Sequence, residues 1–166
     1  MNRLAPLRYI PDNLTNIDKK KQINEIKKTK KLYEKKIYYT RKKVRSFKQK
    51  HSKHILRAQK LYNIDNMKIN KELSSKTKCR LIGLKLIFKM GQGAYYSSGS
   101  RPNQTPHSWG YARVASAITG GKSSAVDIHV LEKYCDKNSK ALKMAKKNYN
   151  KYKKGTRKVK KTSLNV

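Results

Sequence analysis

Residues 119–124 read Thr119-Gly-Gly-Lys-Ser-Ser124, the closing half of a phosphate-binding loop whose amides and lysine would wrap a nucleotide's phosphates. That chemistry needs a first glycine at position 116, where Ser116 stands, and a strand leading in, where the pattern predicts a helix. The residues read instead as a Gly-Gly helix stop followed by a serine cap. Gly91-x-Gly93 starts a dinucleotide fingerprint, but Tyr96 occupies the third glycine position. A hydrolase would recruit Ser97 or Ser98, His107 or His129, and Asp127 or Glu132, yet no nucleophile elbow or metal-binding pair accompanies them. His51, His54, His107 and His129 stand far from Cys79 and Cys135, so no zinc spacing forms. Two cysteines outside any CxxC pair make no disulfide framework, and the chain reads as reduced. No catalytic residue, cofactor, metal or small-molecule substrate is therefore expected, and the chain does not read as an enzyme.

Cation chemistry dominates instead. The 166 residues hold 43 Lys and Arg against 9 Asp and Glu, a net charge of +34, with only 36% hydrophobic residues and a mean hydropathy of −0.93. Such a charge repels itself and leaves little apolar surface to offset the repulsion, which predicts neutralisation by a polyanion or within an assembly. The distribution is uneven. Residues 35–64 carry eleven cations and no acid, and residues 137–166 carry twelve and no acid. Residues 92–132 hold three cations against two acids. The near-neutral stretch reads as the packed kernel. No apolar run approaches the roughly 18 residues of a spanning helix, and the first ten residues are too short and too broken by Arg3, Pro6 and Arg8 for a signal peptide.

The elements that would position these charges are mostly helical. Thr15 predicts a helix cap, with Asp18 in the place of a capping-box acid and Ile23, Ile26, Tyr33 and Ile37 as the apolar stripe, interrupted by Lys30. Ser52 caps a helix facing inward through Ile55, Ala58 and Tyr62. The cluster from Leu81 to Met90 reads as a buried helix ended by Gly91, with a strand over residues 84–88 as the alternative. Residues 91–105 read as a Gly/Tyr/Ser-rich loop. Thr105-Pro106 opens a helix faced by Tyr111, Val114, Ala115 and Ile118. Ser123 or Ser124 caps the next, and Ser139 caps a last one faced by Leu142, Ala145, Tyr149 and Tyr152. Residues 153–166 lack apolar periodicity and predict a flexible basic tail.

The expected architecture is a small, irregular, mostly α domain flanked by extended basic arms: residues 1–69 a basic arm with helical segments, 70–136 the near-neutral core, 137–166 a basic helix and tail. The expected contacts to a polyanion or protein partner are Arg41, Lys42, Lys43, Arg45, Lys48 and Arg57, joined at the loop by Arg101 and Trp109. Around that loop, Tyr95, Tyr96, Arg101, His107 and Trp109 present aromatics interleaved with cations, suited either to stacking on bases or to bracing the loop.

Three blocks carry a resemblance. Arg8-Tyr-Ile-Pro11 with Leu14 and Asp18-Lys-Lys-Lys-Gln22 is the first, and Tyr38-Tyr-Thr-Arg-Lys-Lys-Val44 with Ser46-Phe47-Lys48 and Ser52-Lys-His54 is the second. The third is Gly91-Gln-Gly-Ala-Tyr-Tyr-Ser-Ser-Gly-Ser-Arg-Pro-Asn-Gln-Thr-Pro-His-Ser-Trp-Gly110 with Ala112-Arg113. Together they resemble a family of small, very basic, virion-associated proteins of nucleocytoplasmic large DNA viruses, the giant viruses of algae and amoebae. The resemblance implies a structural role in the virion, as a minor capsid or inner-shell protein whose basic arms cement neighbouring capsid proteins. The alternative is a packaging protein that binds viral DNA without reading sequence. The inner membrane surface is a further expected partner.

Overall fold

The computed structural model describes residues 4–165. Its elements are β1 (Leu4–Pro6), a 3-10 turn (Leu7–Tyr9), α1 (Asn16–Glu34), α2 (Lys53–Tyr62), α3 (Lys71–Thr77), α4 (Leu81–Ser97), α5 (Pro106–Ile118), α6 (Lys122–Val126), α7 (Ile128–Tyr134), α8 (Lys140–Lys151) and β2 (Lys161–Ser163). The fold is mostly α, as the periodicity predicts.

Local chemistry starts most helices. Thr15, Ser52 and Ser139 each accept the amide three residues on, and Asn70 does the same for α3. At α5, Ser108 N–H donates to Thr105 Oγ1 at 3.1 Å while Thr105 N–H donates to Ser108 Oγ at 2.9 Å, with Pro106 at the first helical position. For α6 the cap differs from expectation. Gly121 holds the cap position, and the Ser124 hydroxyl turns back to the Gly121 carbonyl at 2.6 Å.

Two compact units form, neither contiguous in sequence. The first gathers residues 4–50, 92–109 and 158–165, and the second gathers 51–91 and 110–157. These units do not follow the division at residues 69 and 136, and neither is a neutral kernel. Those segments of the first hold 20 Lys and Arg against 4 acids, and those of the second hold 22 against 5, so they carry +16 and +17. The near-neutral stretch is shared between them, because its apolar helices supply buried faces to both.

In the first unit, Ala5, Tyr9, Ile10, Ile23, Ile26 and Leu164 form the core, with Trp109 packed against it. Within the expected flexible tail, residues 161–163 instead form a strand. β2 pairs antiparallel with β1, Ala5 opposite Thr162, and this brings Leu164 into the core. No local period announces that pairing, since the strand's partner lies more than 150 residues away. The expected stop at Gly91 is also absent, because α4 continues through both glycines to Ser97. It ends where Ser98 and Gly99 N–H both return to the Ala94 carbonyl. Gly99 has φ +106°, and a Cβ there would meet Tyr9 at 3.1 Å and Ile26 at 3.3 Å. Ile37, expected on the α1 stripe, lies beyond the helix end after left-handed Lys36 and is exposed.

The second unit packs α2, α3, α5 and α8 around Leu84, Ile87, Val114, Ile118 and Leu131. Asp127, fully buried, receives two hydrogen bonds from Arg113 at 2.8 and 2.7 Å. The expectation of reduced cysteines is overturned: Cys79 and Cys135 are disulfide-bonded. They face each other in an isolated antiparallel bridge, with Arg80 N–H on the Tyr134 carbonyl and Asp136 N–H on the Lys78 carbonyl. Their separation of 56 residues hides the pair from any spacing rule. Beside it Gly83 is required by space, since its Cβ would lie 2.4 Å from Tyr134 Cβ.

Candidate polyanion interface

Residues 41–48 form no helix and no ladder strand, so their backbone needs partners elsewhere. Side chains supply them. Arg41 N–H donates to Tyr95 Oη at 2.9 Å, Lys42 N–H to Glu25 Oε2 at 2.8 Å, Val44 N–H to Asn103 Oδ1 at 2.8 Å and Ser46 N–H to Asp18 Oδ2 at 2.8 Å. Asn103 returns two donations, to the Val44 and Phe47 carbonyls. Lys21 Nζ donates to the Lys43 carbonyl at 2.8 Å. With Val44 buried as the anchor, Lys42, Lys43, Arg45 and Lys48 all stand exposed along a fixed backbone. Four of the expected contact residues are thus presented together.

Arg41 is not among them. It is buried, its guanidinium 3.6 Å from the centre of the Tyr95 ring, donating to the Tyr95 carbonyl at 2.8 Å and Ser100 Oγ at 2.6 Å. The cation therefore caps the C-terminal end of α4, where unpaired carbonyls and the helix dipole favour positive charge. Burial pushes its pKa down, opposed by Tyr95, Tyr9 and Glu25. Arginine remains charged even so. The correction to the sequence expectation is physical: a guanidinium that stacks and donates to a helix end gains more there than in solvent.

Around this anchor, cations crowd one another. Lys30, half-buried on α1, has its pKa lowered by burial and by Arg41. Arg101, exposed as expected, is pushed down by desolvation and by Arg8, whose guanidinium lies 5.5 Å from the Tyr9 ring centre. Trp109 is turned edge-on to Tyr9 at 5.8 Å and braces the core. Sequence reasoning missed Arg8 and Lys30. Lys30 announces itself only as the break in an apolar stripe.

Three of the nine acids are spent on the fold. Asp18 serves Ser46, Glu25 serves Tyr39 Oη and Lys42 N–H, and Asp127 serves Arg113. The Ser46 hydroxyl and amide hold the Asp18 carboxyl below the usual carboxylate range. The exposed ion pair between Lys76 and Glu72, 3.1 Å, is of the weak helical kind.

In the second unit Arg57 is exposed on α2, away from the buried Ala58 and Tyr62. On α8, Ala141, Leu142 and Ala145 are buried while Lys140, Lys143, Lys146, Lys147 and Lys151 face solvent. The Thr119–Ser124 turn is closed on itself. Gly121 N–H donates to the Ser116 carbonyl, Ser123 N–H to Ser116 Oγ, and Asn148 Nδ2 to the Gly121 carbonyl. These bonds brace the turn in the manner of a helix stop. Among the described residues no group of three His, Cys, Asp or Glu could hold a metal ion, and no helix is long and apolar enough to cross a membrane.

No curated protein and no solved structure matches the chain. Residues 6–138 match DUF5824, a family of unknown function, from the first core strand through the disulfide, and the chain belongs to that family.

Proposed function

We propose that this protein is a structural component of a nucleic-acid-containing particle, a virion of the kind its sequence blocks resemble, and that it neutralises polyanion without reading base sequence. One observation carries the reading. Lys42, Lys43, Arg45 and Lys48 are held on a backbone pinned by Glu25, Asp18 and Asn103, so the carboxylates nearest them are consumed in presenting the cations rather than in pairing them. Phosphates are the natural complement of such a row, and counterion release drives their binding.

The test is a salt titration of duplex DNA binding. On duplex DNA, log affinity falls by about 0.9 per log unit of salt for each phosphate contacted. Charge reversal of Lys42, Lys43 and Arg45 together weakens binding and lowers that slope by about 3, with the fold retained. A protein that ignores duplex DNA at low salt overturns the proposal.

A second reading, cementing of neighbouring capsid subunits, draws on Ile82 and Leu86. These stand one turn apart on α4, 57% and 40% exposed, with Lys85 and Lys89 exposed beside them. A partner with an apolar patch rimmed by acids would fit. Release of the protein with the shell rather than with the genome on particle disassembly would favour it.

A further inference from the structure

The first unit carries an aromatic surface that phosphate neutralisation does not use. α1 ends at Glu34, and left-handed Lys36, φ 60°, turns the chain so that Ile37 N–H returns to the Leu32 carbonyl. The turn puts Tyr38 outside, 69% exposed. Its ring is not loose. It stands edge-on to Tyr96 at 5.3 Å and to Tyr33 at 6.0 Å, and those two are stacked on each other at 5.6 Å with planes 13° apart. Tyr96 in turn meets Tyr95 at a right angle, and Tyr95 carries buried Arg41. Desolvation raises the Tyr96 pKa.

A tyrosine this exposed usually samples several rotamers. Here edge-to-face contacts with two rings hold one orientation in advance of any ligand, and preorganisation lowers the entropy that binding must overcome. Lys35 and Lys36 precede it in the chain, both exposed, and residues 35–50 contain no acid. The combination is an exposed, braced ring that follows two exposed lysines in the chain.

We propose that Tyr38, backed by Tyr33 and Tyr96, is a stacking platform for an unpaired nucleobase, with Lys35 and Lys36 on the flanking phosphates. The inference deepens the polyanion reading and rests on it, naming single-stranded nucleic acid as a ligand. A duplex conceals the faces of its bases, whereas a single strand offers a π face beside every phosphate, and stacking accepts any base. An acidic protein surface would satisfy the lysines and leave the ring unused.

The test compares a fluorescent oligo-dT of about 15 nucleotides with heparin, a polyanion without aromatic rings, binding the full chain at moderate salt. Tyr38→Ala weakens oligo-dT binding roughly 5- to 100-fold and leaves heparin affinity unchanged. Tyr38→Phe retains the oligo-dT affinity, and Tyr38→Trp strengthens it, a gain that misfolding cannot mimic. Unchanged oligo-dT binding by Tyr38→Ala, or an equal loss for heparin, overturns the platform while the polyanion reading stands. Failure of the unmodified protein to bind either ligand overturns both.

Discussion

The Ser46 hydroxyl donates to Asp18 Oδ2 at 2.6 Å, joining an acid in the first turn of α1 to a residue 28 positions later. Ser46 Oγ also accepts the Thr15 N–H at 3.2 Å. In a simple capping box the acid itself would reach back to that amide. Here Ser46 is inserted between them, so the start of α1 and the cationic segment are fixed by the same bonds.

Acid should therefore loosen the segment. The Asp18 pKa is lowered by its bonds to Ser46 in the folded chain. A depressed carboxylate contributes stability that is present above its unfolded value, near 4, and is lost as pH falls through the lower folded value. The expected outcome is a melting temperature that declines as pH drops below about 4, with Ser46→Ala showing a lower plateau and a shallower decline. Thermal melts across pH 2 to 7 check it. Identical acid limbs in the two proteins would refute the link.

Arg41 is expected to behave as a structural residue and not as a ligand contact. Removing it strands the Tyr95 carbonyl and Ser100 Oγ and leaves a cavity against the Tyr95 ring. Arg41→Ala should cost about 3 kcal/mol, in the range for breaking a buried charged contact. Arg41→Lys should recover only part, because an ammonium cannot stack and donate in a fork at once. Urea unfolding measures both, and a near-neutral alanine variant would contradict the assignment.

The disulfide should matter to the second unit. It closes a separation of 56 residues, for which the chain-entropy estimate is about 4 kcal/mol. Cys79→Ser, or reduction, should lower stability by an amount of that order. Free-thiol titration of the unfolded chain should find none before reduction. Two titratable thiols in the native preparation would sink this prediction.

Much of the helical content was legible before the fold was known. Caps at Thr15, Ser52, Thr105 and Ser139, the apolar spacing of α5 and the Gly120-Gly121 stop act over a few residues, and the local chain alone decides them. Lys42, Lys43, Arg45 and Lys48 were legible as a cationic run for the same reason.

What escaped was every feature made by segments distant in sequence. The β1–β2 pair, the Cys79–Cys135 bridge, the Asp18–Ser46 bond and the capping of α4 by Arg41 all join residues between 28 and about 160 positions apart. Charge segregation along the chain suggested a neutral kernel with loose arms, whereas the two units carry nearly equal charges of +16 and +17. The sequence alone settled the capped starts of α1, α2, α5 and α8 and how much positive charge must be neutralised, because capping and charge are local or additive properties. Tertiary structure decided which cations face solvent and which are buried, since burial depends on where remote segments meet and on whether each polar group finds its partner there.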